Sequence, residues 1–97
     1  MKKVTLKTVI EKHLKNPEFA QEYEKQLLIN EISKLIVKLR QNAHLTQKEL
    51  ADKARTTQPV IARLESGNDT RVPSLELLTR IAHASNSKLF LSFKAEK

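Results

Sequence analysis

Residues 57–63, TQPVIAR, combine two side chains that can read the edges of nucleic-acid bases. If the segment is helical, Gln58 and Arg63 lie on one side, with only the small Pro59 and Ala62 between them. Glutamine can form two hydrogen bonds with the edge of adenine, and arginine can form two with guanine. The pattern therefore favours recognition of base edges in a DNA major groove.

A pair of short helices is predicted to position these side chains, over residues 46–54 and 58–66. Thr46 and Glu49 have the spacing of a capping box, and Thr57 can cap the second helix, where Pro59 falls within the first turn. Gly67 ends that helix. The apolar side chains Val60, Ile61 and Leu64 can then pack on Leu50, Ala51 and Ala54, and the short RTT turn holds the two helices at a steep angle.

Three further helices and one strand are predicted around this pair. Residues 6–14 form an apolar helical face, and residues 17 to about 42 continue without a break, as one helix or as two with a bend. On the long segment one face carries Leu28, Ile32, Leu35, Ile36 and Leu39, whereas Phe19, Tyr23 and Leu27 lie opposite. Residues 74–85 form the last helix, with a stripe of Leu75, Leu78, Ile81 and Ala82. The tail KLFLSFK alternates as a strand would.

The composition favours a small helical protein that binds a polyanion. The chain has 97 residues, a formal charge of +7 and 4% aromatic residues. The charge is concentrated after residue 30, where 12 Lys and Arg face 7 acidic residues. The absence of Cys excludes disulfides and zinc fingers, and no segment has the length of a membrane span or the apolar stretch of a signal peptide. We expect a cytoplasmic protein that does not associate with a membrane.

No chemistry of catalysis is indicated by the sequence. There is no glycine-rich phosphate loop and no Ser, His and Asp set with the spacing of a triad. His13, His44 and His83 are isolated from one another and from spaced carboxylates, so surface or half-buried roles are favoured over metal binding. We expect no enzyme activity, no metal and no cofactor.

Residues 46–75, TQKELADKARTTQPVIARLESGNDTRVPSL, resemble the helix-turn-helix of the phage-repressor-like (XRE) family. The likeness extends over about residues 31–84. Its motif residues in register are Gln47, Leu50, Ala51, Thr57, Gln58, Ile61, Leu64, Glu65 and Gly67. The resemblance implies an all-α, phage-repressor-like bundle of about five helices that binds double-stranded operator DNA. The implied DNA-binding residues are Gln47, Thr57, Gln58, Pro59, Ala62, Arg63 and Arg71, with Gln47, Thr57 and Arg71 at phosphates and Gln58 and Arg63 at bases.

Arg55 departs from the family pattern, which usually has a glycine in a left-handed turn at this position. A residue with a side chain costs on the order of 1 kcal/mol there. Either the turn tolerates Arg55, which then adds a positive charge near DNA, or the angle between the helices changes. Tolerance is the favoured interpretation.

Two flanking features, NPEFAQEYEKQ at residues 16–26 and the short alternating strand after the last helix, resemble those of HigA-like antitoxins from type II toxin-antitoxin modules. The resemblance implies an antitoxin that binds a cognate toxin, often an mRNA-cleaving one, and represses its own operon as a dimer. The expected division is an N-terminal helical extension over 1–27, a DNA-binding domain over 28–86, and a dimerisation strand over 87–97. Candidate dimer contacts are Leu89, Phe90, Leu91 and Phe93. Candidate toxin contacts are Leu6, Ile10, Leu14, Phe19 and Tyr23.

The sequence is compatible with several alternatives. A lone strand leaves its backbone groups unpaired, so it pairs either with the same strand of a second subunit or with residues 4–6 of its own chain. Phe19 and Tyr23 can be covered by the 6–14 helix, by a second subunit or by a toxin. A stand-alone repressor shares every motif residue, and a protein-interaction module that does not bind DNA is the alternative from another class.

Overall fold

A computed structural model describes residues 16–96 and contains four helices in that range. They are α1 Pro17–Asn42, α2 Gln47–Lys53, α3 Gln58–Ser66 and α4 Leu75–Ala84. The described part is therefore all-helical, as expected. α1 is one uninterrupted helix of 26 residues, so no bend divides it into two. The predicted helix over residues 6–14, the fifth of the expected bundle, lies outside the described residues, as do Leu6, Ile10 and Leu14.

The helices begin where the sequence provides caps. Asn16 accepts hydrogen bonds from the backbone N–H groups of Glu18 (3.0 Å) and Phe19 (3.4 Å), ahead of Pro17 at the first helical position. The capping box of α2 is complete: the Glu49 N–H donates to Thr46 Oγ1 (3.0 Å), and the Thr46 N–H donates to Glu49 Oε1 (2.8 Å). Local chemistry thus fixes these helix starts.

The core lies where α2, α3 and α4 meet the second half of α1. Ile61 and Leu64 of α3 are buried against Leu50, Ala51 and Ala54 of α2, as predicted. The remaining buried members of this cluster are Ile36 and Ile81. Because Ala51 and Ala54 are small, α2 and α3 can approach closely, and this contact sets the angle of the pair.

The buried face of α1 differs from the predicted one. Ile29, Ser33 and Ile36 face the core, whereas Leu28 and Leu35 are about half exposed. The stripe is rotated because α1 carries polar anchors on its core side as well as apolar residues. Ser33 is buried, and its hydroxyl donates to the Glu65 carbonyl of α3 at 2.6 Å. This bond satisfies a carbonyl at the end of α3 that has no partner within its own helix.

The predicted C-terminal strand is not present within the part of the chain that the structure describes. Residues 87–96 are neither helix nor strand. Leu89 is half-buried, but Phe90 (83%) and Phe93 (106%) are highly exposed, and Leu91 is exposed as well. The reason is that strand geometry requires a hydrogen-bonding neighbour, and alternating side chains alone do not supply one. The C-terminal strand is therefore not confirmed within the described residues of this single chain.

Candidate nucleic-acid interface

α3 divides its side chains between the core and the solvent. Ile61 and Leu64 are buried, while Gln58, Pro59 and Arg63 are exposed. Ala62 is half-buried on the same side as the exposed group. The helix is consequently held from one side only, and its other side is open to a large ligand. This is the arrangement that the spacing of residues 58–64 predicts.

Thr57 occupies the N-cap position of α3, but its side chain makes no capping hydrogen bond. A capping side chain accepts from the N–H group of the second or third helical residue. The second residue here is Pro59, which has no N–H group. Thr57 therefore lies at the predicted N-cap position, but the predicted capping bond is wrong. Its exposed hydroxyl makes no hydrogen bond with the backbone N–H groups of α3.

Arg63 and Arg71 converge on Asp69 in the loop after α3. The Arg63 Nε atom lies 2.9 Å from Asp69 Oδ2, and the Arg71 Nε atom lies 3.7 Å from Asp69 Oδ1. The Arg71 backbone N–H also donates to Oδ1 at 3.1 Å. That hydrogen bond lowers the pKa of Asp69, and the charges of Arg63 and Arg71 lower it further. The Asp69 carboxylate is thus held ionised between two arginines.

Gln47 is tied into a network behind the interface. Its side chain is half-buried, and Nε2 donates to Glu65 Oε1 at 3.1 Å. Arg40 Nε lies 2.6 Å from Glu65 Oε2, and Nη2 donates to Oε1 at 3.1 Å. Arg40 Nη1 also donates to the Leu45 carbonyl at 2.9 Å. The hydrogen bonds with Glu65 raise the pKa of Arg40, and the opposite charge of Glu65 adds to this effect.

Neither this network nor the contacts of Asp69 are predicted by the sequence patterns. Arg40 and Glu65 are 25 positions apart, and a helical period relates only residues on the same helix. The nearest signal is that Glu65 belongs to the motif register, although it sits on a helix with no cation three or four positions away. For Asp69, the nearby basic residues at 63 and 71 are a signal in the sequence itself.

Arg55 adopts the left-handed conformation that its position predicts. Its φ is +58°, and the side chain is exposed. The turn keeps its hydrogen bonds, because the Thr56 N–H donates to the Ala51 carbonyl at 2.9 Å and the Arg55 N–H donates to the Asp52 carbonyl at 3.3 Å. The turn therefore accommodates arginine without losing its backbone bonds.

The candidate partner-binding residues lie away from α3. Phe19 and Tyr23 are half-buried on the first half of α1, where their rings stack with centroids 6.2 Å apart. Leu89 and Phe90 line an apolar groove of about 280 Å³ between α1, α4 and the tail. The other residues lining the groove are Ile32, Leu35, Ile36, Leu39, Leu78, Ile81, Ala82, Ser87 and Lys88.

Within residues 16–96, no three His, Cys, Asp or Glu side chains are grouped so that they could hold a metal ion. Across the same range, no helix combines the length and apolar character needed to cross a membrane.

The short pair of α2 and α3, with the polar side of α3 exposed, has the arrangement found in helix-turn-helix DNA-binding proteins. A family model described as helix-turn-helix matches residues 36–89, which is more than half of the chain. The chain belongs to this XRE-type helix-turn-helix family, a family of DNA-binding regulators rather than enzymes. Comparisons with the curated proteins and with the solved structures found no match.

Proposed function

We propose that this DNA-binding regulator is a HigA-like antitoxin. It binds its operator as a dimer, represses its own operon and neutralises a cognate toxin. The observation that carries the DNA-binding part is the exposed side of α3, where Gln58 and Arg63 face solvent while Ile61 and Leu64 hold the helix in the core.

Base reading is assigned to the exposed side of α3. Gln58 recognises an adenine, Arg63 recognises a guanine, and Ala62 and Pro59 offer apolar contact to a thymine methyl group. Thr57 contacts phosphate through the hydroxyl that α3 leaves unused. Arg71, whose side chain is 75% exposed, supplies a positive charge to the backbone of the DNA.

Gln47 is assigned a phosphate contact that is positioned by Glu65. One N–H of its amide is held by Glu65, so its second N–H is oriented by the same bond. Phosphate contacts of this kind fix the register of a protein on the duplex and carry no sequence information. The Gln47 contact therefore sets how α3 enters the groove.

Dimerisation is assigned to the tail and the apolar groove beside it. Phe90, Leu91 and Phe93 expose apolar surface that a second subunit can cover, and Leu89 already rests against the groove. A tail that pairs with its copy in a partner gains the hydrogen-bonding neighbour that a strand requires. A symmetric dimer also suits two DNA half-sites about one helical turn apart.

Toxin binding is assigned to the first half of α1. Residues 17–28 contain no buried residue, and they include the Phe19–Tyr23 stack. This segment carries three Glu and one Lys in a chain whose formal charge is +7. An acidic segment complements the basic surface with which an mRNA-cleaving toxin holds its substrate.

Two substitutions separate base reading from phosphate contact. Arg63→Ala is expected to relax the preference at one base position by about 1 to 3 kcal/mol, whereas Arg71→Ala weakens binding to all sequences alike. Binding is measured by fluorescence anisotropy on DNA from upstream of the gene and on random DNA. Equal losses on both DNAs for Arg63→Ala would count against base reading.

Antitoxin activity is tested by co-expressing the tagged chain with its neighbouring open reading frames. A small co-purifying protein that arrests growth when expressed alone is the expected result. Tyr23→Ser is expected to weaken that complex and to leave DNA binding unchanged, with Gln41→Ser, at an exposed position in the second half of α1, as its matched control. If no toxic partner is found while operator binding persists, the chain is a stand-alone repressor.

A steep fall of DNA affinity with salt is expected of either regulator, because contacts to phosphates release counterions. A protein-interaction module that does not bind DNA would show no such fall.

A further inference from the structure

We propose that Asp69 is the positioning residue that sets the specificity of α3. It contacts the guanidinium of Arg63 at Nε and leaves the two terminal nitrogens free to read a base. The inference rests on the proposed DNA-binding function and adds a residue that makes no base contact itself.

The geometry of the pair supports this role. Asp69 Oδ2 lies 2.9 Å from Arg63 Nε, the nitrogen nearest the aliphatic stem. Within residues 16–96 the two terminal nitrogens of Arg63 donate no hydrogen bond to the protein, and they are the pair that forms the fork for guanine O6 and N7. A contact at Nε therefore orients the guanidinium plane without occupying its reading edge.

Asp69 and Arg63 differ in side-chain exposure, as a positioning residue and the residue that it orients should. The Asp69 side chain is 11% exposed, whereas that of Arg63 is 48% exposed. Asp69 is fixed in turn by the Arg71 N–H, which donates to its other oxygen. The anchor is thus ordered by the loop, and the group that it orients remains accessible to DNA.

Ordering Arg63 before binding lowers the entropic cost of docking it on a base. Immobilising one long side chain at an interface weakens binding by about 2- to 12-fold. When the correct base is present, the ordered arginine gains its two hydrogen bonds without that penalty. When it is absent, the arginine cannot easily turn to a phosphate, since Asp69 holds it, so discrimination increases.

Asp69→Asn tests the inference with little disturbance of the loop. The asparagine keeps an oxygen to accept the Arg71 N–H, but places an NH₂ group that cannot accept opposite Arg63 Nε. Asp52→Asn is the matched control, since it removes the same charge from a carboxylate that is 70% exposed and whose ion-pair partner among residues 16–96 is Lys48 at 3.9 Å. Circular dichroism and the thermal midpoint verify that both variants are folded.

The assay first selects preferred sites with the wild type from a DNA library randomised over about two helical turns. The position read by Arg63 is then the one whose preference Arg63→Ala removes. Affinity is measured for the selected duplex and for the duplex with that one base pair changed, and their ratio is the discrimination. We expect Asp69→Asn to lower this ratio by about 2- to 12-fold and Asp52→Asn to leave it unchanged.

Two outcomes would overturn the inference. An equal gain in affinity on both duplexes would mean that Asp69 only repels phosphates. A larger ratio in Asp69→Asn would mean that Asp69 withholds Arg63 from the base. Failure of the proposed function is recognised separately, because the wild type would then select no site, or Arg63→Ala would select the same site as the wild type; either result also removes the basis of the inference.

Discussion

Replacing Glu65 with alanine is expected to reduce the free energy of unfolding by about 3 kcal/mol. The carboxylate is 7% exposed and its partner Arg40 is 18% exposed, so the substitution leaves a largely buried guanidinium without its counter-charge. Three hydrogen bonds to Glu65 are lost as well, two from Arg40 and one from Gln47.

The magnitude follows from this burial and from the number of charged contacts. Hydrogen bonds to charged groups contribute about 1.5 to 3 kcal/mol each, and removing one partner of a buried ion pair costs about 3 to 5 kcal/mol. The lower end applies because the remaining exposure of Arg40 lets water solvate part of the freed guanidinium. For a chain of this size the thermal midpoint then falls by roughly 12 to 24 °C.

Urea unfolding followed by circular dichroism measures the effect, with Glu76→Ala as the matched control. Glu76 pairs with Arg80 at 2.6 Å, but its side chain is 81% exposed, so its loss is expected to cost less than about 1 kcal/mol. The double variant Arg40→Met, Glu65→Leu is expected to recover much of the lost stability, because it leaves no buried charge. Equal costs for Glu65→Ala and Glu76→Ala would refute the reasoning.

Three further predictions concern caps, the turn and acid. Arg55→Gly is expected to be about 1 kcal/mol more stable to urea than Arg55→Ala, because both remove the charge but only glycine relieves a φ of +58°; equal stabilities would contradict this. Thr46→Ala is expected to lose about 1 kcal/mol with its capping box, whereas Thr57→Ala changes stability by only a few tenths, since its hydroxyl caps nothing; equal losses in urea unfolding would show that Thr57 does cap α3. The pKa of Glu49 is lowered, mainly by the hydrogen bond from the Thr46 N–H, so Glu49 contributes to stability above the ordinary pKa of 4.5 and this contribution is lost as pH falls through the lowered pKa of the folded state. Glu49→Gln is expected to reduce this loss of stability in acid, as measured by thermal unfolding at a series of pH values. The same pH dependence in the variant and the wild type would contradict it.

Local signals in the sequence were sufficient to place the four helices that the structure describes. The Asn16–Pro17 start, the Thr46–Glu49 box and Gly67 each act within one helical turn, so they can be read without knowing the fold. Periodicity likewise predicted that α3 buries Ile61 against α2. These features depend only on neighbours in sequence or on one helix face.

Features that depend on distant partners were not predictable in this way. The rotation of α1 follows from Ser33 meeting the end of α3, 32 positions away, and Gln47 meets Glu65 across 18 positions. The missing cap at Thr57 does not follow from Pro59, since a proline at the second helical position removes only one of the two donors that a cap can use and Val60 keeps the other. The tail shows the opposite case, because its alternation favours a strand and its pairing partner cannot be identified from one chain.

The central claim is that the exposed side of α3 reads DNA sequence, and selection from a randomised duplex library tests it most directly. We expect the wild type to enrich two half-sites related by a two-fold axis and about one helical turn apart. We also expect Gln58→Ala and Arg63→Ala each to lose preference at a different base position within the half-site. Recovery of unenriched DNA by the wild type, or of an identical site by all three proteins, would contradict it.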